Sequence, residues 1–268
     1  DPMGTVETIT KLTSAETKKY WQSVFTKSRA VIVIVGDLDK ATIEEKLKEL
    51  ISKIPSGTSF TQKVEGYSPT ANSFKPMQRE NATNYVRGIT SAPLPGSPDY
   101  NAFVLAMRAF SMRHFIEVRS KNGLSYAPGV WFSQGKTPYS NISVTTTDPD
   151  KYIAVARNLI EKVKKEGFTA EELKNEKTGY LTGLYFRQET NEEQAAALAT
   201  NEVINNNWKR SVDIKDEMNK VTLEQLNNAF AKYISNITWV YQGDPKKVNS
   251  QLYVQKTAPP ILPDKKAF

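Results

Sequence analysis

Two widely separated segments of the chain follow the same plan, and this repeat limits the folds that the sequence can adopt. In the first segment Thr13 precedes Glu16 and an apolar stretch at helical spacing, and in the second Thr222 precedes Gln225 and a similar stretch. A threonine followed three residues later by Glu or Gln is typical of a helix capping box, in which each side chain hydrogen-bonds the other residue's backbone N–H. Both segments are therefore predicted to begin a helix.

Each predicted helix leads into an apolar, β-rich run. These runs, residues 31–37 and 237–244, both end in Gly-Asp, a pattern typical of a strand that stops at a turn. The matching order predicts a duplicated unit. Far more sequence precedes Thr222 than precedes Thr13, so the front of the first copy is expected to be missing.

The repeat divides the chain into three predicted parts. Residues 1–67 are the C-terminal part of a first domain, residues 68–82 are a linker, and residues 83–268 are a complete second domain. The linker assignment depends on many turn-forming residues and on the absence of hydrophobic periodicity around it.

The second domain shows alternating signals for strands and helices. Strands are predicted over residues 85–90, 126–132 and 139–147, and helices over 99–118, 149–165, 170–186 and 192–205. This order favours an α+β fold, a mostly antiparallel sheet layered with helices, together with a partial sister domain from the first copy.

Composition excludes several kinds of catalytic site. The chain of 268 residues contains no cysteine and one histidine, His114. Disulfides, thiolate metal sites and cysteine nucleophiles are therefore excluded, and a tetrahedral zinc site cannot be completed with a single histidine. A serine triad would need His114 beside an acid, and the nucleophile elbow of such enzymes is absent.

The net charge of +7 leaves two interpretations open. Lysines alternate with glutamates, as in residues 44–49 and 171–177, which favours an ordinary solvated surface and no nucleic-acid partner. The alternative is an anion-binding module, whose binding to DNA would weaken steeply with salt. The longest aliphatic run, residues 30–35, is too short to cross a bilayer, so no membrane partner is expected.

The most specific motif is the block Arg119-x-x-x-Gly123-Leu124-x-Tyr126. Gly123 is a good left-handed cap for the preceding helix. Arg119 can satisfy carbonyls at that helix end while Tyr126 packs as a strand aromatic, which is a purely structural interpretation. Alternatively, both side chains bind a ligand.

This block resembles the substrate-holding element in the C-terminal half of the M16 zinc metallopeptidases, the insulinase, pitrilysin and mitochondrial-processing-peptidase family. The resemblance extends to the Gly-Asp turn at residues 36–37 and to the capped helices that follow Thr169 and Thr222. It implies an M16-like fold in which Arg119 and Tyr126 bind the peptide substrate and the oxyanion, with Gly123 and Leu124 as the supporting turn.

The resemblance also implies what this chain lacks. The family's zinc-binding His-x-x-Glu-His helix is absent, so zinc is expected in a missing N-terminal domain or in a zinc-carrying partner subunit, and no catalytic residue is expected here. The parent would be a peptide-hydrolysing enzyme, with a periplasmic or extracytoplasmic location favoured. The alternative is a noncatalytic scaffold of the same fold. Residues 109–115 lack the glycine-rich turn usual before the arginine block, which puts loop closure over peptide in doubt.

Overall fold

The chain forms helices and one mixed sheet in a computed structural model that describes residues 3–80 and 82–260. The helices are α1 (Val6–Lys11), α2 (Ser14–Val24), α3 (Lys40–Lys53), α4 (Tyr100–Phe115), α5 (Pro149–Glu166), α6 (Ala170–Phe186), α7 (Asn191–Asn205), α8 (Arg210–Lys220), α9 (Leu223–Tyr233) and α10 (Gln251–Val254). The strands are β1 (Ser73–Gln78), β2 (Asn84–Thr90), β3 (Gly129–Phe132), β4 (Ser140–Thr146) and β5 (Thr238–Gly243). A π-helical turn, Ile116–Lys121, directly follows α4.

The described residues divide into two units. The first lies within Asp1–Lys63 and Gln188–Trp208, and the second lies within Val64–Arg187 and Lys209–Phe268. The first unit contains α1, α2, α3 and α7, and the second contains the sheet and the other helices. Residues 1, 2, 81 and 261–268, which belong to the predicted domains and linker, lie outside the described residues.

The sheet of the second unit has the strand order β1-β5-β2-β4-β3. β1 runs parallel to β5, and the other neighbouring pairs are antiparallel. At its centre Gly88 of β2 allows the buried ring of Trp239 to lie over the backbone, because a Cβ at this position would stand only 2.7 Å from a ring carbon. The sheet, antiparallel at three of its four pairings, and its helices confirm the predicted α+β arrangement.

Helix α4 supplies much of the core of the second unit. Its Phe103 packs edge-on against Phe132 of β3, with 5.2 Å between ring centroids. About two turns further along the helix, the ring of Phe110 lies 4.9 Å from the ring of Phe230 in α9, centroid to centroid. Fully burying a side chain of this size contributes about 1.5–3 kcal/mol. These contacts tie α4 to the sheet at one end and to a neighbouring helix towards the other.

The helices of the first unit are specified by their caps rather than by burial. Their N-cap side chains each accept a hydrogen bond from a backbone N–H in the first turn, and these caps are Thr5, Thr13, Asp39 and Thr190. Within the part of the chain that the structure describes, α1, α2, α3 and α7 contain no buried residue. Trp21 of α2 stacks on the neighbouring Phe25 at 4.7 Å, and both rings are about half exposed.

The repeated segments share their helices but not their strands. Helices α2 and α9 have the same length of 11 residues, and each begins with a complete capping box, at Thr13 and Thr222. Residues 237–244 contain β5, whereas the prediction of a strand over residues 31–37 is wrong. A strand needs a partner for its backbone groups: β5 lies between β1 and β2, while no described residue pairs with residues 31–35. The duplication itself stays a prediction.

The segment predicted as a linker, residues 68–82, contains strand β1, which its composition did not predict, and the linker assignment itself stays a prediction. β1 is an edge strand that pairs with β5 alone, and most of its residues are exposed, which explains why it lacks an apolar pattern. Its Pro76 is compatible with this place, because an edge strand tolerates a residue without an N–H donor. The boundaries of the two predicted domains, 1–67 and 83–268, stay predictions.

The single histidine lies in the core. His114, in the last turn of α4, is fully buried, and its Nε2 lies 3.1 Å from the hydroxyl of the equally buried Tyr152. Its Nδ1 has no hydrogen-bond partner among the described residues. Burial lowers the pKa of His114 from 6.5 to about 4, because the core cannot solvate the imidazolium.

We expect this histidine to make the chain sensitive to acid. The folded state favours the neutral imidazole. Its contribution to the free energy of unfolding is therefore complete above pH 6.5 and is lost as the pH falls towards 4, a change of roughly 3 kcal/mol. Urea unfolding at several pH values measures this slope. The double variant His114→Phe/Tyr152→Phe keeps two rings and no titrating group, and it should lose less stability over the same range. Equal slopes for the two proteins would contradict the assignment.

Candidate functional site

The end of α4 is reshaped by the π-helical turn Ile116–Lys121, which carries Arg119. Turns of this kind are rare and are frequent at functional sites, because the wider turn displaces a side chain from its regular position. The turn stops at Gly123, whose φ of +60° is the left-handed conformation predicted for this helix end. Its N–H donates to the carbonyl of Arg119 at 3.1 Å, and the N–H of Leu124 donates to that of Val118 at 2.9 Å.

The side chains of Arg119 and Tyr126, two of the predicted site residues, are in contact across the turn at Gly123. The guanidinium carbon of Arg119 lies 4.2 Å from the centroid of the Tyr126 ring and 5.1 Å from that of the Phe115 ring. Tyr126 is 80% exposed, so its hydroxyl is open to solvent. Leu124, the other supporting residue, packs against the core. The four predicted residues are therefore brought together, with a partly buried leucine next to a partly buried arginine and an exposed tyrosine.

Tyr126 was expected on a strand, and that expectation is wrong. The residue lies in a bend, and β3 begins only at Gly129. Pro128 immediately precedes the strand and has no N–H to pair, which explains the late start. Tyr126 is consequently not a packed strand aromatic, and its ring is held on one side by Arg119.

The stacking of Arg119 leaves its hydrogen-bonding edge available. A guanidinium that lies over an aromatic face keeps its in-plane N–H donors free for a carbonyl or carboxylate. Among the described residues, no carboxylate pairs with Arg119. Arg113 of α4 differs, since its guanidinium donates to both carboxylate oxygens of Glu172 and to the carbonyl of Gly167. Arg113 is a structural residue, whereas Arg119 is free to bind a ligand.

Beside this pair lies the α4–β3 cleft, with a volume of about 720 Å³. It is lined by Val104, Met107, Arg108, Ser111, Met112 and Phe115 of α4, by Val130, Trp131, Phe132 and Gln134, and by Glu176, Tyr180 and Arg187. Phe115 connects the Arg119–Tyr126 pair with the α4–β3 cleft, because it contacts Arg119 and also lines the cleft.

The sequence analysis missed this cleft, although one signal for it exists. Helix α6 contains two glycines, and in a helix interior a glycine costs stability unless a close approach requires it. A Cβ at Gly179 would lie 3.2 Å from a guanidinium nitrogen of Arg108, and one at Gly183 would lie 3.3 Å from Arg187. The glycines therefore let two arginines of the cleft lie against the helix.

The residues of this chain do not fit a zinc site. His114 is buried against Tyr152, and the described residues contain no group of three or more His, Cys, Asp or Glu side chains that can hold a metal ion. We therefore assign no chemical step to a metal on this chain. Also within the described residues, no helix has the length and apolar character needed to span a membrane.

The sequence places this chain in a known family. Residues 11–180 match the family described as the peptidase M16 inactive domain, and because this is more than half of the chain, the chain belongs to that family. No curated protein matches the chain.

Solved structures share the fold at low sequence identity. The peptidase M16 inactive domain from Pseudomonas fluorescens is 20% identical with a TM-score of 0.78, and the match covers 96% of this chain and 61% of that one. A protease from Helicobacter pylori is 15% identical with a TM-score of 0.77, covering 90% and 62%. The first half of the periplasmic protease PqqL from Escherichia coli is 16% identical with a TM-score of 0.67, covering 94% and 60%. The present chain thus spans less than two thirds of these structures.

We expect the isolated chain to contain no stoichiometric zinc, because one buried histidine and no cysteine cannot form a tetrahedral site. Elemental analysis of the protein purified without chelators measures the metal content. His114→Phe provides the matched control and should give the same background value. About one equivalent of zinc that survives gel filtration would contradict this prediction.

Proposed function

We propose that this chain is the substrate-binding C-terminal portion of an M16-like zinc metallopeptidase, and that Arg119 and Tyr126 hold the peptide. The observation that carries the proposal is the stacked pair itself: the guanidinium carbon of Arg119, on the π-helical turn, lies 4.2 Å from the centroid of a tyrosine ring that is 80% exposed. A structural role would require a protein partner for the guanidinium or burial for the ring.

Each side chain has a chemical role suited to peptide hydrolysis. The planar guanidinium of Arg119 can donate two parallel hydrogen bonds to a peptide carbonyl or to a carboxylate. The Tyr126 hydroxyl can donate to the oxygen that becomes negative when a carbonyl is attacked. Stacking fixes the guanidinium before the peptide arrives, which lowers the entropic cost of binding.

In this proposal zinc and the water-activating group belong to a missing N-terminal domain or to a zinc-carrying partner subunit. The chain alone is then inactive, and it completes a cleft whose other wall bears the metal. We also propose a periplasmic location, since one of the similar structures comes from a periplasmic protease. Fractionation of the source cells tests the location.

A second candidate is a noncatalytic scaffold of the same fold, which the family's description as an inactive domain favours. The two candidates differ in what happens when the zinc-bearing half is supplied. If the parent is catalytic, changing Arg119 lowers the turnover of the assembled enzyme. If the chain is a scaffold, it contributes only to assembly, and the change leaves turnover as it was.

We expect Arg119→Ala to weaken peptide binding by roughly 10- to 100-fold, the range for a lost hydrogen bond to a charged donor. Tyr126→Phe keeps the ring and removes only the hydroxyl, so it should weaken peptide binding by about tenfold or less. Fluorescence anisotropy with a fluorescein-labelled peptide of alternating leucine and glutamate measures the affinity. Tyr126 is exposed, Arg119 is only partly buried and neither belongs to the core, so melting temperatures should change little.

Lys121→Ala is the matched control, because Lys121 is a cation of the same turn that pairs with Glu117. Its affinity should equal that of the unchanged protein. If Arg119→Ala lowers the melting temperature while affinity is unaffected, the residue has a structural role and the proposal is wrong. In an enzyme assembled with its zinc-bearing half, loss of the Tyr126 hydroxyl should lower turnover about a hundredfold.

A further inference from the structure

A second cleft, the α5–turn cleft, lies between helix α5 and the π-helical turn that carries Arg119. Its volume is about 370 Å³, and pockets for small molecules typically measure about 300–1,000 Å³. The turn contributes Ile116, Glu117 and Lys121 to one wall. Glu117 and Arg119 are two residues apart in a helical turn, so they face different sides of it. The α5–turn cleft is therefore separate from the place where Arg119 meets its aromatic partners.

One stripe of helix α5 forms the opposite wall. The residues that line the cleft recur at the spacing of a single helix face, and they are Val155, Asn158, Leu159, Lys162 and Glu166. Val155 and Leu159 are buried, whereas Lys162 and Glu166 are exposed. The order of residues along this stripe therefore gives the cleft an apolar floor and a charged mouth.

The charges at the mouth are of both signs. The Nζ atom of Lys121 lies 2.9 Å from the carboxylate of Glu117, and that of Lys162 lies 3.9 Å from the carboxylate of Glu166. Both lysine side chains are 61% exposed, and exposed ion pairs contribute little to stability, so a ligand can replace them. A ligand with one sign of charge is repelled by half of these groups, whereas a zwitterion finds a partner for each of its charges.

Two further polar groups of the cleft are held in place and still have hydrogen-bonding capacity. Asn158 donates through Nδ2 to two backbone carbonyls, and no described residue donates to its Oδ1. The structural arginine Arg113 donates through Nε and Nη2 to Glu172 and to a backbone carbonyl, and no described residue accepts from its Nη1. Both residues line the cleft. They offer an acceptor for an ammonium group and a donor for a carboxylate.

We propose that the α5–turn cleft binds an apolar zwitterion, which is the chemistry of a hydrophobic amino acid or of a dipeptide with free ends. Its carboxylate is bound by Arg113 and Lys162. Its ammonium group is bound by Asn158 and Glu117, and its apolar side chains lie against Leu159. This site goes beyond the proposed function, because it requires neither the peptide site nor a zinc-bearing half.

The first test changes only the ligand, and isothermal titration calorimetry measures the affinity. Leucyl-leucine should bind with a Kd of roughly 0.1–1 mM, the range for so small a ligand. Its N-acetyl form lacks the positive charge and its amide lacks the negative charge, so each should bind at least about tenfold more weakly. Diglycine keeps both ends without apolar side chains and should also bind at least about tenfold more weakly.

Free leucine, a shorter ligand with the same chemistry, is titrated alongside, and the tighter of the two identifies the source of the natural ligand. If the acetylated and amidated dipeptides bind as well as leucyl-leucine, the charges of the cleft do not select the ligand and the proposal is overturned. Absence of binding by both leucine and leucyl-leucine at about 10 mM overturns it as well.

The second test changes the charge at the mouth of the cleft. Lys162→Glu should weaken leucyl-leucine about tenfold, because it replaces a partner of the carboxylate with a like charge. Lys165→Glu is the matched control, since Lys165 is an exposed lysine in the same last turn of α5 and should not affect the affinity. Equal weakening by the two variants would reflect the net charge of the protein and would overturn the proposal.

The third test fills the cleft. Ile116 is 42% exposed, so Ile116→Trp can place a larger ring over the apolar floor without disturbing the core, and it should abolish the binding of leucyl-leucine. Ile116→Leu keeps the volume and should bind as the unchanged protein does. Circular dichroism shows whether the variants are folded. If the tryptophan variant is not, the two lysine variants decide the question, and binding that a folded tryptophan variant retains overturns the proposal.

Arg119→Ala separates this inference from the proposed function, because it should leave the affinity for leucyl-leucine unchanged. If it abolishes dipeptide binding while Lys162→Glu has no effect, the dipeptide binds at the peptide site, this inference is overturned and the role of Arg119 stands. If leucyl-leucine binds as expected while Arg119→Ala does not weaken the leucine–glutamate peptide, the α5–turn cleft is a binding site and the proposed function is wrong.

Discussion

The packing of α4 between the sheet and its neighbouring helices is the interaction on which the candidate site depends. Phe103 binds the helix to β3, and Phe110 binds it to α9, so the C-terminal end of α4 cannot move independently of the core. Arg119 extends from that end and β3 follows a few residues later. Helix α4 therefore positions Arg119, one wall of the cleft and the strand that faces it.

The two units differ in how their structure is stabilised. The second has a continuous apolar core, whereas the described helices of the first rely on capping boxes and on exposed ion pairs such as Lys53–Glu49. Caps and surface ion pairs each contribute on the order of 1 kcal/mol, compared with about 1.5–3 kcal/mol for a buried aromatic side chain. We therefore expect the amides of the first unit to exchange with solvent well before those of β2 and α4, and unfolding of the whole chain not to follow a single transition.

Sequence reasoning succeeded where the signal is local. Helices α5, α6 and α7 were predicted to within one residue, because a capping threonine or aspartate and the helical pattern lie within one segment. It failed where the outcome depends on distant residues. Residues 31–35 have the composition of a strand but no described partner, while β1 has a poor composition and forms because β5 lies beside it. The same limit explains the site: Arg119 and Tyr126 are visible as a motif, but the cleft requires α4, β3 and α6 together.

The π-helical turn has a consequence for how this chain tolerates insertions and deletions. A π-helical turn is an α-helix that holds one extra residue. Deleting a residue between Ile116 and Lys121 would restore a regular helix and rotate all that follows by about 100°. Arg119 would then leave the rings of Phe115 and Tyr126 although no site residue had been substituted. The length of this short segment is thus constrained as strictly as the identity of the residues it presents.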